Sequence, residues 1–281
     1  MILHLDIVFF VNYVMIFQEI FDTGNVLNKL RHRIYYCIIN YYNMKPTHIF
    51  TNGCSFLSLR PKEGVDTHVG IELGKLLRLK EARHFGAGGR GNKRLSISTK
   101  VWCERYPEIA DKSFFLIGIT AGLRVDFPVT ESYKAHKFPE LRSYWKTYKP
   151  WENKATEAFF KHLDKTSNLD IEQMAHFESL EATINLQNYF KIKNYPYVMY
   201  KTLPDPNLIM DKRDKKNKDI YTLNALIDKK RYFRPSYSHL EYTEENKQHC
   251  APGDHHPSAD GHRDWAQQIK EFIDANNLLS V

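Results

Sequence analysis

A chain of 281 residues with 42% hydrophobic and 14% aromatic side chains carries enough apolar surface for a substantial core, which excludes disorder as its main state. Its formal charge of +7 leaves room for an anionic partner, but much of that charge lies in mixed stretches such as DKRDKKNKD at 211–219. These read as solvated loop, so nucleic acid is not expected as a partner. Cys37, Cys54, Cys103 and Cys250 are widely spaced without a CxxC pair, which gives neither a disulfide framework nor a cysteine zinc site and suits a reducing, cytoplasmic compartment.

Residues 1–43 differ in character from the rest of the chain. MILHLDIVFFVNYVMIF is apolar but contains Asp6 and Asn12, lacks a basic start and has no small-residue cleavage site, so it makes a poor signal peptide. The run of about 17 residues is at the lower limit for crossing a bilayer and already carries an acid, so a membrane is not expected either. A second methionine, Met44, stands just before the first convincing strand. The expected organisation is an N-terminal extension over 1–43, disordered or a translated upstream stretch, followed by one domain over 44–281.

From Thr47 the pattern becomes regular. THIFTN reads as a short buried strand, and DTHVGIELGKLLRL as a helix with Val69, Leu73, Leu76 and Leu77 on one face. A weaker strand at 82–85 leads into GAGGRGNKRL and a helix to about Tyr106, and SFFLIGIT at 113–120 is the strongest strand of the chain. The aromatic, lysine-rich region 129–165 reads as helical or irregular; Tyr144, Trp145, Tyr148 and Trp151 there suit packing, or a lid that stacks on sugars. DIEQMAHFESLEATINLQNYFKIKN forms a long amphipathic helix, YPYVMYK the next strand, and SADGHRDWAQQIKEFIDANN a terminal helix opened by a Ser or Asp cap. Strands alternating with helices imply a parallel sheet covered on both faces, with ligands gathered where strands end and helices begin.

Three stretches at such positions carry chemistry. In NGCSF the turn after the first strand lifts either Ser55 or Cys54 above the sheet, although a serine there also serves as a helix cap and a cysteine as a small core hydrophobe. GAGGRG at 86–91 formally matches a dinucleotide fingerprint, but the strand before it is poor and is not the first of its unit. Its glycines could instead bring backbone N–H groups to an oxyanion, with Asn92 adding a side-chain donor. CAPGDHHPSADGH supplies Asp254, His255 and His256, an imidazole base with a carboxylate to fix its tautomer.

In this order the blocks NGCSF, GGRGNKRL and HHPSADGH resemble those of the SGNH (GDSL-like) hydrolase family, over about residues 44–281. The resemblance implies a flavodoxin-like, three-layer α/β/α sandwich around a central parallel sheet. It makes Ser55 the nucleophile, His256 the base and Asp254 the orienting acid. The N–H groups of Ser55 and Gly89, with Asn92, would hold the oxyanion. The implied activity is ester hydrolysis on a small-molecule or glycan ester, as in a carbohydrate deacetylase, with no metal or cofactor. Two positions depart from the family pattern. GITAGLR places Thr120 where the family has an oxyanion asparagine, leaving Thr120 or Arg124 to substitute. The acid stands two residues before the base rather than three, which predicts a weaker orienting bond from Asp254. Two other classes fit the same residues: a non-catalytic binding module on this fold, and a metal-dependent phosphoesterase built from His249, Asp254, His255, His256 and His262.

Overall fold

The computed structural model describes residues 45–128, 145–148, 171–204 and 218–279, with isolated positions between 154 and 165. The chain separates into two compact units, Met1–Met44 and Lys45–Val281. The first unit, and with it the expected extension over 1–43, lies outside the described residues. So do Tyr144, Trp151 and the 211–217 part of the lysine-rich stretch, as well as the side chains of Trp145 and Tyr148.

The second unit is built from β1 (His48–Asn52), α1 (Val69–Leu77), β2 (Lys80–His84), α2 (Asn92–Arg105), β3 (Ser113–Ile119), β4 (Val125–Pro128), β5 (Trp145–Tyr148), α3 (Ile171–Lys193), β6 (Tyr197–Lys201), α4 (Lys218–Ala225), β7 (Tyr232–Phe233), α5 (His239–Glu245) and α6 (Ala259–Ala275). Five strands pair in the order β2-β1-β3-β6-β7, every pairing parallel. The chain passes from β1 outward to β2 and then returns across β1 to β3. That reversal opens a crevice beside the carboxyl end of β1, the place where ligands collect in open α/β sheets.

β3 is buried along its whole length and shows how the two faces are filled. Phe115, Ile117 and Ile119 join Phe50, Leu95 and Trp102 with Leu186 and Phe190 on the face covered by α2 and α3. Phe114 and Leu116 point the other way, to Val69, Leu73, Trp265, Ile269 and Ile273 of α1 and α6. A strand buried on both sides reads as a continuous apolar run rather than an alternation. Each such phenylalanine contributes on the order of 2 kcal/mol by leaving water.

The elements sit close to their expected places, with local differences. α1 begins at Val69 because the His68 ring accepts the Gly70 N–H (3.1 Å) and caps the helix. Ser258 caps α6, accepting the Gly261 N–H at 3.2 Å. Trp145–Tyr148, expected as helical or irregular, is a strand antiparallel to β4. The pair is tied by the Thr147 hydroxyl, which donates to Asp126.

The α1/α6 side of the sheet also buries three imidazoles. His239 stacks on Trp265 (ring centres 5.0 Å apart), His262 lies 5.3 Å from His239, and His68 meets His84 edge-on at 4.6 Å. Burial first, and then the charges of His84 and His262, holds His68 well below an ordinary imidazole. Burial and His262 do the same to His239, and burial followed by the charge of His256 brings His262 down to about 3. The unfolded chain therefore takes up protons below about pH 6.5 that the folded chain refuses, so stability falls as the pH drops. Urea unfolding at pH 7.5, 6.5 and 5.5 is expected to show a progressive loss, up to about 1.4 kcal/mol per pH unit for each imidazole. His262→Gln is expected to flatten the slope. A stability that is unchanged from pH 7.5 to 5.5 would contradict it.

Candidate active site

β1 ends at Asn52, and Gly53 and Cys54 turn the chain into a single 3-10 turn, Ser55–Leu57. A Cβ at Gly53 would lie 2.5 Å from the Leu57 side chain and 3.0 Å from the Gly118 carbonyl, so only glycine lets the turn fold down onto β3. Cys54 is fully buried, its thiol donating to the Thr202 hydroxyl at 3.2 Å. Ser55 faces the other way and is partly exposed. Of the two candidate nucleophiles, the turn presents the serine.

His256 arrives on a loop closed at its base. Ser258 N–H donates to Gln248 O (2.7 Å), Cys250 N–H donates to His256 O (2.9 Å), and His249 and Pro257 form an antiparallel bridge. The tip turns through Gly253, whose left-handed φ of 76° a side chain would strain. Asp254 Oδ1 then accepts both the backbone N–H of His256 (2.9 Å) and, at 2.6 Å, a bond with its ring Nδ1. Aspartate commonly bonds the N–H two residues on, and here the same turn swings the carboxylate against that residue's imidazole. The shortened spacing therefore does not weaken the bond, contrary to the expectation from the family pattern. The far nitrogen, Nε2, lies 2.8 Å from Ser55 Oγ. His255 is solvent-exposed, 3.5 Å from Glu244.

Arg60, which no sequence motif singles out, donates to the second carboxylate oxygen of Asp254 at 2.6 Å and to Glu63 at 3.0 Å. Burial works to raise Asp254, but the backbone and ring of His256, and then the charges of His256 and Arg60, outweigh it and hold the carboxyl at about 2. His256 is lowered from an ordinary imidazole, chiefly by burial; Asp254 supports its charged form, and Arg60 and Arg124 oppose it. His256 is thus neutral at pH 7, with Nε2 able to accept a proton.

The glycine loop lies beside Ser55: a Cβ at Gly88 would be 3.9 Å from Ser55 Cβ, and Gly89 follows with φ 76°. Asn92 does not turn to the serine. Its amide nitrogen donates to Thr120 O (2.8 Å) and Ser179 Oγ (2.7 Å), and its oxygen accepts the Thr120 N–H (2.9 Å). Both amide hydrogens are engaged, so the side chain ties the glycine loop to the end of β3 instead of serving as an oxyanion donor. Thr120, at the position compared above with an oxyanion asparagine, keeps a buried hydroxyl with no hydrogen-bond partner among the described residues. Asp126 fills the start of α2, accepting the N–H groups of Gly91 (3.2 Å) and Arg94 (2.8 Å). The chain's own carboxylate thereby takes the helix N-terminus that a dinucleotide phosphate would need.

The five residues weighed as metal ligands do not form a metal site among the described residues. His256 and Asp254 bond each other, His255 faces solvent and His262 packs in the core; among the described residues no group of three ligating side chains converges. A cavity of about 320 Å³ is lined by Ser179, Thr183, Lys201, Asn224 and Tyr232 among others; Ser179 also bonds Asn92, and none of Ser55, Asp254 and His256 lines it. No described helix is long and apolar enough to cross a membrane. Comparison of the chain with family models, with curated proteins and with solved structures finds no match.

The titration of His256 is set by these contacts. Its NMR midpoint is expected below 6.5. Arg60→Gln removes an opposing charge and raises it, whereas Asp254→Asn removes support for the imidazolium and lowers it. A wild-type midpoint above 6.5, or shifts of the opposite sign in the variants, would show that the contacts differ from those described.

Proposed function

We propose that the chain is a serine ester hydrolase of the SGNH type. The observation that carries this reading is the unbroken relay from Ser55 Oγ through His256 to Asp254, bonds of 2.8 and 2.6 Å made by residues from opposite ends of the domain. The strand order, with its reversal beside the nucleophile's strand, supports a flavodoxin-like arrangement of this type. The substrate class in this reading is an ester of a small molecule or glycan, such as an O-acetylated carbohydrate.

In the first half-reaction His256 Nε2 takes the Ser55 hydroxyl proton as Oγ forms a bond to the ester carbonyl carbon. Asp254 stabilises the imidazolium and keeps the proton on Nδ1. The backbone N–H groups of Ser55 and Gly89, neither of which donates to a described residue, receive the negative oxygen, with the Thr120 hydroxyl as the neighbouring donor. His256 returns its proton to the departing alcohol, leaving an acyl-serine. Water then attacks, giving a proton to His256 and its oxygen to the acyl carbon, and the serine regains its hydrogen as the acid leaves. Cys54 takes no part.

Steady-state hydrolysis of short 4-nitrophenyl esters tests this reading. Ser55→Ala and His256→Ala are expected to lose roughly a thousandfold or more in kcat, and Asp254→Asn a comparable factor, since its bond to the base is short. Cys54→Ala and His255→Ala are expected to stay within about threefold of the parent. Turnover that survives Ser55→Ala would leave a binding module on this fold as the better reading, and a dead His255→Ala variant would move the base by one position.

A further inference from the structure

Among the described residues, Arg124 is a charged group near the site to which neither the hydrolytic cycle nor an ion pair gives a task. Its Nε and Nη1 are shut off from solvent yet meet no hydrogen-bond acceptor among the described residues. Its place is fixed by the backbone. The residue follows the carboxyl end of β3 in a turn closed by its own N–H on Ala121 O (3.2 Å). Its carbonyl presses on Gly91 so tightly that a Cβ there would come within 2.2 Å. Gly91 closes the glycine loop that lies against Ser55, and the charge of Arg124 is felt at the His256 ring.

The two arginines beside the base differ in one respect. Arg60 is paired with Asp254 and Glu63, whereas the acid nearest Arg124 in sequence, Asp126, is committed to Gly91, Arg94 and Thr147. Arg124 is only partly buried, but two guanidinium nitrogens cut off from water and left without an acceptor among the described residues are unfavourable. Beside a general base they are doubly so, because His256 must itself become a cation when it takes the Ser55 proton. Both penalties are relieved if the substrate brings a negative charge. We propose that Arg124 binds an anionic group of the ester substrate, a carboxylate, phosphate or sulfate, and that the site selects acidic esters. The planar guanidinium suits such oxyanions. Binding also couples recognition to chemistry: the bound anion offsets the charge that opposes the imidazolium, so the base works best with the acidic substrate in place. The proposal rests on the serine-hydrolase reading.

Two matched pairs of esters test it. 4-Nitrophenyl butyrate and mono-4-nitrophenyl succinate differ in charge on the acyl side; phenyl acetate and 4-acetoxybenzoate differ on the alcohol side. The ratio of kcat/KM for the charged over the neutral ester is expected to exceed unity in at least one pair, which also says on which side the charge sits. Arg124→Gln is expected to lower that ratio roughly tenfold or more, mainly through KM, and Arg124→Lys to restore part of it. A wild type that ignores charge in both pairs, or a ratio unmoved by Arg124→Gln while both rates fall together, overturns the proposal and leaves the hydrolase reading standing. If no ester is turned over, the hydrolase reading fails and binding decides the proposal. Succinate and benzoate are expected to raise the unfolding midpoint of Ser55→Ala more than that of Ser55→Ala combined with Arg124→Gln. Equal shifts in the two would overturn it.

Discussion

One carboxylate holds the site together. Asp254 Oδ1 accepts from the backbone and binds the ring of the same histidine, while Oδ2 takes Arg60, so the acid is satisfied on both sides and ionised well below neutral pH. A partly buried carboxylate with that many donors is costly to move, because any displacement leaves a charge or a polar group without its partner. The ring of His256 is therefore fixed in direction and tautomer before any ligand arrives. Phe56, the residue after Ser55, packs against that ring with centres 5.2 Å apart.

The sheet makes this arrangement possible and the loops refine it. β1 lies between β2 and β3, so the three loops leaving their carboxyl ends stand side by side: the serine turn in the middle, the glycine loop on one flank and Thr120–Arg124 on the other. Asn92 and Asp126 cross-link the two flanks through backbone groups. The glycines there answer to contact more than to flexibility. A Cβ at Gly86 would fall 1.7 Å from the Leu57 carbonyl, inside the backbone of the serine turn itself. Changes in the glycine loop thus reach the turn that carries Ser55 directly.

What the sequence disclosed depended on how local each signal is. Buried strands such as SFFLIGI and the cap-and-helix pattern after Ser258 are written in consecutive residues, and so is the turn that presents Ser55. β7 has only Tyr232 and Phe233, too short for any periodicity to mark it, and β5 pairs with β4 across residues whose composition suggests irregular chain. The roles of Asn92 and Arg60 could not be read at all, because each depends on a partner far along the chain: Thr120 and Ser179 for one, Asp254 for the other. A signal for Arg60 exists in its place directly after the Ser55 turn, in SLRPKEG, but nothing local joins it to an acid 194 positions away. The Asp254–His256 spacing looks defective against the family pattern because a pattern counts residues, whereas the bond depends on where a turn points the carboxylate.

Ser55 as an activated nucleophile is the centre of this account, and covalent trapping addresses it without any assumption about the substrate. An alkyl fluorophosphonate reacts with a serine whose proton a neighbouring base can remove. Peptide mass spectrometry after treatment is expected to find the adduct on Ser55 of the folded protein, with labelling lost in His256→Ala and after denaturation. An adduct on another residue, or labelling of Ser55 that persists without His256, would contradict the claim.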